Sequence, residues 1–216
     1  SIYRYINGSW TQIGNDIDGE YSGDYSTDSL GEAISLSANG NIVAIGSIYN
    51  SDAGYNSGHV RVYQYSSGSW TKLGSDIDGE GPEDSSGWSV SLNADGSILA
   101  VGAPRNDGID GTCYDNGFPT ALCNDNRGHV RVYQYSSGYW TQLGNDIDGE
   151  IAGDKSGETI SLSADGTIVA IGSKLNSEVG ASSGHVRVYQ LKIPSSYEWI
   201  NNNVVKGVDT QQVDGK

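Results

Sequence analysis

From His59 to Tyr65 the side chains take turns, Val60 and Val62 standing against His59, Arg61 and Tyr63, and the same alternation returns from His129 and from His185. A period of two is the mark of a β-strand with unlike faces. The runs "IVAIG" (from Ile42 and again from Ile168) and "ILAVG" (from Ile98) are apolar almost throughout, as expected of strands covered on both faces. Each follows a shorter run, "ISLS" or "VSLN", across Asn39-Gly40, Asp95-Gly96 or Asp165-Gly166. That dipeptide predicts a type I′ hairpin with positive φ at both centres. The alternating strand turns at Ser67-Gly68 and comes back through "WTKLG"; the first copy turns at Asn7-Gly8. The expected unit is four antiparallel strands, a to d in chain order, with c nearer the edge than b. No segment has a helical period.

The unit repeats. "GHVRVYQYSSGSWTKLGSDIDGE" from Gly58 is rewritten almost letter for letter from Gly128, and Trp10, Trp70 and Trp140 mark a common phase, as do "IDGE" from Ile17, Ile77 and Ile147. A four-stranded sheet cannot bury its own apolar faces, so repetition predicts stacked blades, an all-β propeller. The chain spells c-d and then a-b-c-d three times, about three and a half blades over residues 1–190. Residues 191–216 hold a degenerate last segment and a tail. An incomplete ring leaves strand edges open, which predicts a longer array or self-association of copies.

"SGWSVSLNADGSILAVGAPRNDG" followed by "GHVRVYQY" resembles the FG-GAP repeat of integrin α-subunit propellers and of many secreted repeat proteins. The likeness is specific at Gly87-Trp88-Ser89-Val90 and Val101-Gly102-Ala103-Pro104 and looser where the flanking copies read "AIGS". It implies an extracellular, calcium-dependent recognition module. The family's calcium loop would fall in the a-to-b hairpin, where Asn93 and Asp95 are kept but Ser91 and Leu99 stand where acids are needed. Asp95 therefore reads as turn chemistry.

Antiparallel strands connect at alternating ends, so the b-to-c and d-to-a loops share one end. Those loops hold most of the 27 acidic residues, against 12 basic ones in the whole chain, for a net charge of −15. One rim should be strongly anionic, which argues against nucleic acid and anionic membranes and for cations. In an extended "DIDGE" the acids project to one side and the Ile to the other. The charges of Asp16, Asp18 and Glu20, of Asp76, Asp78 and Glu80, and of Asp146, Asp148 and Glu150 need an offset. Ca²⁺ is one candidate, with Asp24, Asp84 or Asp154 completing a cage. Backbone N–H groups and solvent are the other.

The second b-to-c loop alone carries an insertion with the only cysteines, Cys113 and Cys123, whose pairing would close a small loop and imply an oxidising compartment. Arg105, Asp107, Asp110, Tyr114 and Phe118 on or beside it are candidate ligand contacts. His59, His129 and His185 recur in phase and read as structural, hydrogen-bonding between blades; Asn50, Asn106 and Asn176 read as loop anchors; Tyr3, Tyr63, Tyr133 and Tyr189 read as core. Asn7 opens a glycosylation sequon that coincides with a turn. No acid stands in an apolar setting that would raise its pKa, and no nucleophile is paired with a base. No apolar run is long enough for a bilayer. With no Met and Ser1 first, the chain reads as a processed product or a cut-out segment. The expectation is a secreted, non-catalytic adhesion or matrix module with a protein or glycan ligand on its acidic face. A polysaccharide-active enzyme and a self-assembling fibre subunit are the alternatives.

Overall fold

The computed structural model describes residues 1–19, 28–107, 113–115, 118–120, 125–192 and 198–206. Three four-stranded antiparallel blades follow one another. The first is β3 (Ile34–Leu36), β4 (Ile42–Ser47), β5 (His59–Ser66) and β6 (Ser69–Lys72), with β7 (Ile77–Asp78) continuing the outer strand against the start of β5. The second is β8 (Ser89–Leu92), β9 (Ile98–Ala103), β12 (His129–Ser136) and β13 (Tyr139–Gln142), with β14 (Ile147–Asp148) in the place of β7. The third is β15 (Thr159–Leu162), β16 (Ile168–Ser173), β17 (His185–Lys192) and β18 (Glu198–Lys206). Before them stands the lone hairpin β1 (Tyr3–Ile6) and β2 (Ser9–Gln12). A second hairpin, β10 (Cys113–Asp115) and β11 (Phe118–Thr120), lies in the long loop of the second blade. The described residues contain no helix, so none is long and apolar enough to cross a membrane. The architecture is an all-β propeller type with three blades and an outer half-blade.

The cores lie between the blades. Ala44, Val60, Val62 and Ile77 of the first blade meet Leu92, Leu99, Val101 and Tyr133 of the second, while Ala100, Val130, Val132 and Ile147 of the second meet Val169, Ile171 and Leu191 of the third. The strand period explains this division. Leu99 and Val101 face back and Ala100 forward, so a b strand must be apolar on both sides. Along c, the valines face forward and His129, Arg131 and Tyr133 face back. Strand c is consequently less edge-like than its alternation suggests: His59, Arg61, His129 and Arg131 are all buried by the neighbouring blade and the β7 or β14 segment.

Polar links tie the blades in order. The a strands lie side by side, with Ser35 Oγ accepting from Leu92 N and Ser91 Oγ from Leu162 N, each at 2.9 Å. At the outer strands, Trp70, Trp140 and Trp199 donate through Nε1 to the carbonyls of Ile13, Leu73 and Leu143 of the preceding unit at 2.9, 2.8 and 3.0 Å. Trp199 thus shows that β18 completes the third blade where the repeat has faded from the sequence. Trp10 has no preceding unit in this chain, and it is 70% exposed. Tyr3, expected in the core, is 53% exposed for the same reason, whereas Tyr133 is buried.

Turn chemistry differs from expectation at one end. The c-to-d turns are type I′, with positive φ at both Asn7-Gly8, Ser67-Gly68 and Ser137-Gly138. The a-to-b turns are not. Only the glycine of each (Gly40, Gly96, Gly166) has positive φ, and Gly40 N bonds Ser37 O at 2.9 Å. This is a type I turn followed by a left-handed glycine, the wider hairpin loop. Side chains hold it: Asn93 Oδ1 accepts from Ile98 N at 2.9 Å and Asp95 Oδ1 from Ser97 N at 2.8 Å.

Candidate functional site

The d-to-a and b-to-c loops do share one end, and they are sewn together there. Gly79 N bonds Gly58 O at 2.9 Å, Glu83 N bonds Tyr55 O at 2.7 Å and Ser86 N bonds Ser57 O at 2.9 Å; Gly149, Gly153 and Ser156 repeat the pattern in the second blade. "DIDGE" is extended as expected. Ile77 and Ile147 are in the core, each 5% exposed, and the flanking acids project from the other face.

Those acids have distinct partners. Asp76 Oδ1 lies 3.2 Å from Arg61 Nε and 2.5 Å from Lys72 Nζ. Glu80 Oε1 reaches Arg131 Nη1 of the next blade at 3.2 Å, and the same guanidinium donates to Asp78 O at 3.1 Å. Glu150 pairs in the same way with Arg187, which donates to Asp148 O at 3.5 Å. The repulsion within the second and third "DIDGE" is therefore offset between blades by Arg131 and Arg187, each two residues after a histidine. Asp16 at the first copy is exposed and accepts from Ser1 Oγ and Gln12 Nε2. Asp18 is exposed too.

Asp84 and Asp154 do different work. Both are buried. Asp84 Oδ2 accepts from Gly81 N at 2.8 Å and Asn106 Nδ2 at 3.2 Å; Asp154 accepts from Glu150 N, Ile151 N and Asn176 Nδ2. In the first blade this position is Asp28, which accepts from Asn50 Nδ2 at 3.3 Å. Spacing from Glu20 singles out Asp24; counting back from strand a would have found Asp28. The asparagines anchor the loops as expected, Asn50 Oδ1 accepting from Asp52 N and Asn176 Oδ1 from Glu178 N.

Burial pushes the carboxyls of Asp78, Glu80, Asp84 and Asp148 above the ordinary range, which corrects the expectation that no acid is so placed. The histidines are buried, but against expectation they do not hydrogen-bond between blades. Neither nitrogen of His59 or of His185 has a hydrogen-bond partner, nor has Nε2 of His129. Burial, reinforced by Arg131, pushes the His129 imidazole down to about 4.

Glu80, His129 and Asp146 converge beside a cavity of about 740 Å³, also lined by Asn106, Gln142, Asn145 and Asp148. His129 Nδ1 lies 3.6 Å from Asp146 Oδ2 and 3.9 Å from Glu80 Oε2. A second group, Glu150, Asp154 and His185, is already engaged: both oxygens of Asp154 accept hydrogen bonds and Glu150 pairs with Arg187. The sequence pointed to Glu80 and Asp146 but missed Gln142, and it assigned His129 to structure.

Of the loop candidates, Arg105 stacks over Trp88 at 5.6 Å and Asp107 Oδ1 accepts from Asn126 N at 3.0 Å. Tyr114 and Phe118 fall in the β10–β11 hairpin, where Cys113 pairs with Thr120. Glu20, Asp24, Asp110 and Cys123 lie outside the described residues.

No family model and no curated protein matches the chain. Among solved structures it is similar to a 6-phosphogluconolactonase-like protein of Bacteroides uniformis, with a TM-score of 0.50 and 11% identity over 82% of this chain and 40% of that one. It is also similar to Sqt1 of Saccharomyces cerevisiae, at 0.49 and 16% over 89% and 38%, and to the tricorn protease, at 0.42 and 11% over 81% and 17%. The chain spans 40% or less of the length of these neighbours. At such identities the likeness concerns the fold alone.

Proposed function

We propose that this chain is a non-catalytic recognition module of an extracellular, FG-GAP-like propeller, presenting its acidic loop end to a protein or glycan ligand with basic groups. The supporting observation is the division of labour among the acids. Asp84 and Asp154 hold the loops, whereas Asp52, Asp78, Glu80, Glu83, Glu150 and Glu178 on the same end are exposed. The loop-to-loop hydrogen bonds make that end a fixed platform, so little conformational freedom is lost when a ligand docks. Its excess of negative charge favours rapid encounter with cations.

A second reading, a polysaccharide-active enzyme, is favoured by the cavity between Glu80 and Asp148, two carboxyls that burial pushes up as a general acid requires. Binding to a glycan array and to basic peptides, run beside a reducing-sugar assay on the same glycans, distinguishes the two. The recognition reading expects binding without turnover, weakening as salt rises. Turnover abolished by Glu80→Gln would overturn it.

A further inference from the structure

The two near-identical segments differ at three positions, Ser69/Tyr139, Lys72/Gln142 and Ser75/Asn145, and only the second changes charge: Lys72 in the first blade is Gln142 in the second. Lys72 places its ammonium 2.5 Å from Asp76 Oδ1. Gln142 instead donates to Asp146 Oδ1 at 2.6 Å, which fixes the carboxylate without neutralising it and leaves Oδ2 turned to His129 Nδ1. On the other side, Arg131 holds Glu80 Oε1, and Oε2 is turned to the same nitrogen. In the third blade the register puts Val204 where Asp146 stands, since Val205 and Lys206 pair as Ile147 and Asp148 do. Among the described residues, only the second blade keeps the full set.

Three donors face one another with no hydrogen bond among them. The 3.6 and 3.9 Å separations are too long for N–H···O bonds. They sit close to the roughly 3.4 Å between neighbouring ligands of a tetrahedral ion with bonds of about 2.0 to 2.2 Å. Each carboxylate has its second oxygen held by a neighbouring side chain, which is how ligand shells are oriented. His129 is an independent pointer: its side chain is 2% exposed, and the nitrogen it turns to the two carboxylates, Nδ1, makes a hydrogen bond to neither. Glu80, Asp146 and Asp148 supply three negative charges around the cavity, against Arg131 beside Glu80 and Arg127 near Asp148.

We propose that Glu80, His129 and Asp146 bind a first-row divalent cation such as Zn²⁺, with the remaining coordination position open to the cavity. One imidazole nitrogen and two carboxylate oxygens suit a borderline ion better than Ca²⁺, which takes oxygen ligands. The test is titration of the purified chain with ZnCl₂, followed by calorimetry, with CaCl₂ as the second probe. The wild type should take up one Zn²⁺ at this site. Asp146→Asn and Gln142→Lys, the latter recreating the first blade's arrangement, should each weaken it at least tenfold with circular dichroism and urea midpoint retained. Lys72→Gln should leave it unchanged. Absence of stoichiometric Zn²⁺ uptake, uptake unaffected by both variants, or tighter binding of Ca²⁺ than Zn²⁺ would overturn the proposal. Should Gln142→Lys not fold, Asp146→Asn alone decides, because that residue is only partly buried.

Discussion

Blade stacking makes a sharp demand on one glycine per blade. A Cβ added at Gly46 would lie 2.0 Å from Gly87 O of the next blade, and one at Gly102 would lie 2.2 Å from Gly157 O. The obstacle in both cases is backbone, which no rotamer can clear. To restore an ordinary C···O separation of about 3.3 Å the neighbouring chain must retreat by roughly 1.3 Å at Gly46. That retreat would also part the Val60–Val101 core and its hydrogen-bonded neighbours. Overpacking of this kind costs typically about 1–3 kcal/mol, occasionally more, and we expect about 3 kcal/mol for Gly46→Ala and for Gly102→Ala. Gly172 is the internal control. It holds the same position in the third blade, but the nearest atom to its Cβ is Oγ1 of Thr159, a side chain that can turn away. Gly172→Ala should change stability by less than about 1 kcal/mol, because a compatible Gly-to-Ala change also restricts the unfolded chain. Urea unfolding followed by tryptophan fluorescence is the assay, since Trp70 and Trp140 straddle blade boundaries. With a slope of about 1–3 kcal/mol/M, the first two variants should lose about 1 M or more in midpoint. Equal losses at all three positions, or none at Gly46, would refute the packing argument.

Asp84→Ala removes the acceptor for Gly81 N and Asn106 Nδ2 inside the loop platform; leaving buried donors unpaired should cost about 2–4 kcal/mol and speed hydrogen exchange at Gly81. Burial, with Arg61, holds the His59 imidazole below its ordinary 6.5. The unfolded chain therefore takes up a proton first as pH falls, so stability present above pH 6.5 is lost on acidification. The urea midpoint should drop between pH 6.5 and 5, and less steeply in His59→Gln. Arg187→Met should shift the midpoint by less than about 1 kcal/mol, because Glu150 is half-exposed and the buried guanidinium carries its own desolvation cost; a loss above about 3 kcal/mol would show that the clasp carries stability.

Strands were legible because each carries a period that its environment enforces, and the loop ends followed from antiparallel alternation alone. What sequence could not supply was the partner across a blade boundary. The repeated tryptophan was visible as a mark, but its acceptor is a backbone carbonyl of the preceding unit, and carbonyls leave no letter. The same holds for Arg131, whose alternation with valine read as a strand edge although its guanidinium is enclosed by the previous "DIDGE". The turn type failed because Asp-Gly fits both a two-residue turn and a type I turn with a following left-handed glycine. The side-chain caps at Asn93 and Asp95 decide between them.

These cross-boundary partners explain why whole phrases are repeated almost unchanged. A residue on strand b or c touches the blade before or the blade after, and its partner is itself a member of the repeat. A change at Val132 must suit Ile171, and a change at Arg131 must suit Glu80. Where the core does vary, as between Val43 and Leu99 or Ile45 and Val101, one apolar side chain replaces another, whereas charge changes at positions whose partner lies close by in the same blade, such as residue 72 or 142, where Lys and Gln each meet an aspartate four residues on. At those positions one substitution alters local charge without disturbing the stack. A repeat protein of this kind can acquire a singular site in one blade while all of them keep the same mode of stacking.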